Sequence, residues 1–237
     1  MFTFLPQVRK KRTVNHVAIS LEGSGKDAMY LEKLDISETS LYEKKGEILQ
    51  QILKTQVELD IPIVTVFLLS SKKVGTAFTE RIRHLTDTLS KLEIEFAEKN
   101  QVKVSPIGKW YELPADGVDM MKKLIDKTKE FDKFFLNLCV YYDGRSELVD
   151  ACKMIGRRIE RQRLNPEEIT RQTIEDNLYT SHYLAPELVI INDSCRINGF
   201  LLWDISEARI HFTRKPWFEF NGIELKKIIG QTPSEGI

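Results

Sequence analysis

The chain has 237 residues, 42% of them hydrophobic and 30% charged, which excludes a disordered tail and suffices for one large core. Thirty-five basic side chains balance 35 acidic ones, so no global field favours nucleic acid and any anion site must be local. Cys139, Cys152 and Cys195 have neither zinc spacing nor disulfide density and read as core thiols of a reducing compartment.

In chain order, residues 1–13 carry the basic cluster "QVRKKR", a solvated arm whose alternative role is peripheral contact with a membrane. One domain is expected over 14–229, followed by a loose tail over 230–237. Val17–Leu21, Ile61–Leu69, Val102–Ile107, Phe134–Tyr142 and Leu188–Ile191 are apolar runs bounded by turn signals and read as buried strands. Between them, Phe78, Ile82, Leu85, Leu89, Leu92 and Phe96 recur at steps of three and four and predict one amphipathic helix. Another starts near Glu147 and is expected to bury Leu148, Cys152, Ile155 and Ile159. Strands alternating with helices predict a single α/β domain with a largely parallel central sheet flanked by helices. No internal repeat, signal-peptide pattern or run of ~18 apolar residues is visible, so the expected location is cytoplasmic.

The first strand runs into "LEGSGK", 21–26, at the strand end where open α/β sheets generally place ligands. Gly23 and Gly25 permit a sharp turn with N–H groups available to an anion. Neither the Walker pattern nor the dinucleotide fingerprint is completed here, since Asp27 follows Lys26 and no second strand ending in an acid follows. A purely structural turn is the competing reading. His16 reads as a satisfied strand-entry histidine, because His84, His182 and His211 show no ligand spacing. Ser70 and Ser71 lack a nucleophile's setting, and "GRRIERQR" at 156–163 reads as cations at a helix end.

Four ordered segments, "HVAISLEGSGK" (16–26), "FLLSS" (67–71), "YDGRSEL" (142–148) and "INDSCRINGFLLWD" (191–204), make the chain resemble the cis-prenyltransferase family of undecaprenyl and dehydrodolichyl diphosphate synthases. The resemblance spans about residues 14 to 220. It implies that Glu22, where the family has aspartate, binds Mg²⁺ with an allylic diphosphate, while Gly23, Ser24, Gly25 and Lys26 cradle the phosphates. It also gives Arg145 and Arg196 as diphosphate contacts, Arg145 having a turn-anchoring role as its alternative. Glu keeps a hard oxygen ligand one methylene longer, and Lys keeps charge without the bidentate fork of arginine.

Against the family pattern, isoleucine replaces the second-substrate arginine at 190 or 191, Ser194 its glutamate, and Asn198 its serine. Arg209 replaces a glutamate that the family supplies across the dimer, which reverses the local charge. Glu43 stands for a histidine, although Gly46 remains, "KKVGT" (72–76) lacks the asparagine and arginine that follow the second strand, and the C-terminal R-x-G is absent. The pattern resembles the non-catalytic, Nogo-B-receptor type of subunit. The expected function is a subunit of a heteromeric enzyme that makes a long-chain polyprenyl diphosphate, paired with a homologous cis-prenyltransferase chain that supplies most of the Mg²⁺ site. The alternatives are a self-sufficient atypical prenyl diphosphate enzyme using Glu22, Lys26 and Arg196, with a homodimer as its assembly, and a pure interaction protein on an inherited fold. The family's dimer contact implies an association surface at 196–212, with Phe200, Leu201, Trp203, Ile205 and Arg209 at the interface; the alternative is that its apolar side chains serve this chain's own core.

Overall fold

The computed structural model describes residues 14–22, 27–71 and 76–231. The basic arm 1–13, the turn Gly23–Lys26, Lys72 and Lys73, and the tail from 232 onward lie outside the described residues. The chain runs β1 (His16–Ser20), α1 (Asp27–Leu34), α2 (Glu38–Glu58), β2 (Ile63–Ser70), α3 (Thr76–Ser90), α4 (Ile94–Lys99) and β3 (Val102–Ile107). It continues through α5 (Ala115–Thr128), β4 (Phe134–Tyr142), α6 (Gly144–Glu160), α7 (Arg171–Glu175), β5 (Leu188–Asn192), β6 (Arg209–Thr213) and α8 (Gly222–Gly230). The strands form one sheet in the order β3-β4-β2-β1-β5-β6, and every neighbouring pair is parallel. All strand ends that lead towards Glu22 therefore share one edge.

The five strands expected from the apolar runs are present, with shifts of one or two residues at their ends. β1, β2 and β5 are buried at every position, as strands covered on both faces must be. β6 is an addition. Its residues are exposed or half-buried throughout, so it has no continuous apolar run to announce it.

The two faces are covered unequally. On one, α2, α3, α5 and α8 pack over Val17, Ile19, Val64, Val66, Leu68, Leu136 and Leu138 in the larger core. Gly46 lets α2 approach α3 closely, since a Cβ there would stand 2.7 Å from the Thr88 carbonyl oxygen and 2.8 Å from Lys91 Cβ. Glu43, a turn earlier, pairs with Lys91 at 3.7 Å. On the other face, Ala18, Phe67, Cys139, Val189 and Ile191 pack with Phe200, Leu201 and Ile205.

Several expectations are corrected. The helix drawn through 78–96 is two helices, because residues 91–93 form a turn where Glu93 N–H donates to Gln50 Oε1 at 2.9 Å and Lys54 pairs with Glu93 at 2.8 Å. Unbroken spacing conceals a turn that a second helix continues; the Phe78 side chain lies outside the described residues. In α6 the buried positions are Gly144, Glu147, Ala151 and Ile155, so the inward stripe is rotated from the expected one: Leu148 and Ile159 are half-buried and Cys152 is exposed. Cys195 is exposed as well, and only Cys139 of the three is a core thiol.

Gly46→Ala is expected to lower the stability of the fold by about 1–3 kcal/mol, the usual range for overpacking. A fall in the urea midpoint at unchanged slope will register it, whereas an unaltered midpoint would mean that α2 and α3 are free to separate.

Candidate functional site

Where β1 leaves the sheet, Glu22 follows at 6% exposure, and its Oε2 accepts the backbone N–H of Ser70, the last residue of β2, at 3.2 Å. The edge is tied together by backbone bonds: Leu21 N–H donates to the Phe67 carbonyl at 3.0 Å and Ser71 N–H to that of Tyr142 at 3.1 Å. From β5, Asn192 Nδ2 donates to the Ser20 carbonyl at 2.9 Å. The Asn192 Oδ1, buried in the same corner, meets no partner among the described residues. One carboxylate is thus anchored between two strands with an amide from a third close by.

The register of β2 against β4 slips at this edge, between Phe67 and Leu69 and again between Leu69 and Ser70. Bulges of this kind re-aim side chains and are frequent beside functional sites. Here the slip turns both Leu68 and Leu69 into the α2–α3 layer.

The remaining expected site residues are dispersed. Arg196 is exposed in a turn closed by Ser194, whose Oγ accepts the Arg196 N–H at 3.0 Å and donates to its carbonyl at 3.1 Å. No side-chain bond holds its guanidinium among the described residues. Ile190 and Ile191, where the motif's arginine would stand, are 0% and 2% exposed in β5. Arg145, exposed in the first turn of α6, lines a surface cleft with Lys109, Asp150 and Lys153 over the ends of β3 and β4, two strands from β1. The tight turn beside it depends on Gly144, whose N–H donates to the Gly199 carbonyl at 2.8 Å. A Cβ on Gly144 would lie 2.6 Å from that same oxygen.

Arg209 opens β6 at the entering end of the sheet, level with Leu188, which is itself paired with Val17. Glu22 lies five residues beyond Val17, roughly 16 Å along the strand direction. The two side chains belong to opposite edges of this chain.

Of the residues expected at the association surface, the apolar ones are packed within this chain. Phe200 and Leu201 are 0% exposed and Ile205 6%, and Phe200 stacks on Phe67 with centroids 5.1 Å apart. These side chains cover the sheet face of their own chain and have no area left to give a partner. Residues 204–207 form a 3₁₀ turn leading into β6. What remains outward is half-buried Trp203, bonded through Nε1 to Glu175 at 3.2 Å, exposed Arg209, and Phe212, 45% exposed on the edge strand.

A polar group that residue type alone did not single out joins α6 to the loop before β5. Glu147, 1% exposed, accepts Tyr142 Oη–H at 2.5 Å and the Tyr179 N–H at 2.9 Å. Burial outweighs these donors and raises its carboxyl to about 7. Burial likewise lifts Asp204, which accepts the Thr180 hydroxyl at 3.0 Å, to about 6. The available signal was an acid at the fourth position of α6 on the face that carries Ala151 and Ile155. Near the strand entrance, His16 is satisfied as expected: Nδ1 lies 2.5 Å from the Leu184 carbonyl and Nε2 2.8 Å from Thr65 Oγ1, and burial lowers its pKa to about 4. Among the described residues no three His, Cys, Asp or Glu side chains come together to hold a metal ion.

A parallel sheet with helices on its faces and a carboxylate held at the leaving end of its central strand defines an α/β protein with a strand-end site. Residues 30–232 match the prenyltransferase family described as undecaprenyl diphosphate synthase, and the chain belongs to that family. It is 30% identical over 230 residues to the tritrans,polycis-undecaprenyl-diphosphate synthase (geranylgeranyl-diphosphate specific) of Thermoplasma acidophilum, covering 95% of this chain and 88% of that one. Against the isoprenyl transferase of Streptococcus pyogenes serotype M3 it is 30% identical over 222 residues, covering 90% and 88%. The crystal structure of lavandulyl diphosphate synthase from Lavandula x intermedia in complex with dimethylallyl diphosphate superposes with a TM-score of 0.85 over 93% of this chain and 95% of that one, at 22% identity, which establishes the shared fold.

Because folding raises the Glu147 pKa from 4.5 to about 7, the unfolded chain releases this proton first. The contribution of Glu147 to stability therefore falls as pH rises from about 4.5 to 7 and is level above that. Glu147→Gln is expected to gain about 1–3 kcal/mol relative to the parent between pH 5 and pH 8, read from urea unfolding at each pH. Parallel stability curves for the two proteins would show that the buried carboxyl is not the titrating group.

Proposed function

We propose that this chain is the catalytically weakened subunit of a heteromeric cis-prenyltransferase that makes a long-chain polyprenyl diphosphate, its partner being a homologous, fully equipped chain. The observation that carries this reading is the state of β5. Ile190 and Ile191 are buried in the sheet where the motif of active members has a diphosphate-binding arginine, so a second-substrate cation would have to come from elsewhere. Arg196 is the remaining cation of that motif.

The Glu22 corner supports a residual role for the allylic diphosphate. Mg²⁺ is commonly held by one or two protein carboxylates together with substrate phosphates. Glu22 fits that mode as a hard-oxygen donor anchored by the Ser70 N–H. Bound there, the ion would neutralise phosphate charge. Glu22 would position it, with Lys26 and Arg196, the cations that the motifs retain, as the expected phosphate contacts. Arg209, at the far edge of this chain, is read as facing the partner, where a cation replaces a metal-binding carboxylate. Among the described residues no helix is long and apolar enough to cross a membrane, and any membrane contact is read as peripheral, through the basic arm or the partner.

Loss of one charged contact to a phosphate typically lowers the rate by orders of magnitude. The purified chain alone should therefore fail to extend an allylic diphosphate with isopentenyl diphosphate and Mg²⁺, while the complex co-purified from the native host elongates it. In that complex Arg209→Glu should alter turnover much less than removal of the partner's own first-strand carboxylate. Elongation by the isolated chain at the complex's rate, abolished by Glu22→Ala, would overturn the subunit reading.

A further inference from the structure

A second group of charges gathers on the outer side of α6, over the ends of β3 and β4. Gly108, at φ +109°, turns the chain sharply after β3, and a Cβ there would stand 2.6 Å from the Val140 carbonyl oxygen. The turn brings Lys109 beside α6, where its Nζ lies 2.8 Å from Asp150 Oδ2. Asp150 is held in place by Tyr179, whose hydroxyl donates to the same oxygen at 2.5 Å, and Lys153 Nζ lies 3.3 Å from its Oδ1. Arg145, Val149 and Lys153 follow at steps of four along α6 and so share one face of the helix.

Burial works against the charge of Asp150, yet the bonds from Lys109, Tyr179 and Lys153 bring its carboxyl down to about 2. It is therefore ionised whenever the lysines are charged. The cleft between these groups is lined by three cations, Lys109, Arg145 and Lys153, against this one carboxylate; Glu112 and Tyr111 lie near enough to Lys109 to act on its charge. Asp150 engages both lysines. Among the described residues no side-chain bond engages the Arg145 guanidinium or the Ser146 hydroxyl, which line the same cleft. Both belong to the first turn of a helix of 17 residues that no side chain caps, so the helix dipole adds positive potential there.

The cleft measures about 240 Å³. Pockets for whole organic ligands start near ~300 Å³, so this space suits a charged head group whose remainder stays outside. Apolar surface for that remainder is at hand, since Val149 is 52% and Tyr111 59% exposed. Arginine offers a planar fork that matches two phosphate oxygens, and the lysines add point charges. β2 stands between β4 and β1, so two strand spacings, roughly 10 Å, part this place from the Glu22 corner.

We infer that this cleft is an anion site separate from the Glu22 corner, in which Arg145, Lys153 and Lys109 take the phosphate group of a soluble phosphate monoester or of an anionic lipid. It gives Arg145 a guest other than the allylic diphosphate. It stands or falls apart from the reading of Glu22.

The test titrates the full chain calorimetrically with glycerol 1-phosphate and, in a second arm, sediments it with phosphatidylcholine vesicles that contain or lack phosphatidic acid. Arg145→Met/Lys153→Met removes two exposed cations and should weaken binding at least about tenfold, the worth of one charge-assisted contact to phosphate. Lys127→Met/Lys129→Met removes the same charge from exposed positions ahead of β4, a strand length of roughly 30 Å from the cleft. That is beyond the screening length of salt, and binding should stay within about twofold of the parent. Val149→Glu sets a carboxylate among the cations and should abolish binding; it decides if the first double variant does not fold by thermal melting. Binding in the soluble arm alone names a free phosphate ester as the guest, and binding in the vesicle arm alone a lipid; either supports the site. Absence of binding in both arms overturns it, as does equal weakening by the two double variants. Weakening by Glu22→Ala as large as that by Arg145→Met/Lys153→Met assigns the phosphate to the strand-end corner and overturns it too.

Discussion

A strand buried on both faces in the middle of a parallel sheet can present chemistry only where it ends. β1 is buried throughout and flanked by β2 and β5, so the first position at which it can offer a polar side chain is Glu22. The bond from Ser70 N–H to the Glu22 carboxylate is the joint on which the corner depends. It satisfies a backbone donor at the end of β2, gives the buried Glu22 carboxyl a hydrogen-bond partner, and holds it at the edge where β1 leaves the sheet. The slipped register of β2 belongs to the same joint, since it is this slip that sends Leu68 and Leu69 into one layer immediately before Ser70.

The unequal cover of the two faces explains how the other motifs are used. One face is thick with helices. On the other, the segment after β5 folds back and lays Phe200, Leu201 and Ile205 onto the sheet. That return requires Gly144 and Gly199 to meet at backbone distance. The "YDGRSEL" and "INDSCRINGFLLWD" segments are therefore structural partners of each other, whatever chemistry their charged residues retain. Glu147 reinforces the same junction from within α6 by holding Tyr142 and the Tyr179 backbone.

Away from that joint the charged groups are spread out. Arg196 is exposed in the turn after β5, while Ile190 and Ile191 are buried within β5 itself. Between α2 and α3, Lys45 lies against the rings of Trp217 and Tyr42, so that layer carries a buried cation held by aromatic faces.

Much of the architecture was legible in residue order alone. Continuous apolar runs located β1 to β5, because a strand covered on both faces needs no polar side, and they put Glu22 just past the end of the first strand. β6 was not legible, since an edge strand half open to water carries no apolar run. Nor was the fate of Phe200 and Leu201, because an apolar side chain reads alike whether it faces its own sheet or another molecule. The cage around Lys45 and the raised carboxyl of Glu147 have the same origin. Lys45 and Trp217, or Glu147 and Tyr179, are far apart in the chain, and their effect on one another arises only when packing removes the water between them. Local pattern determined the sheet, its direction and the edge where chemistry can occur. Tertiary packing decided which side chains at that edge are free to perform it.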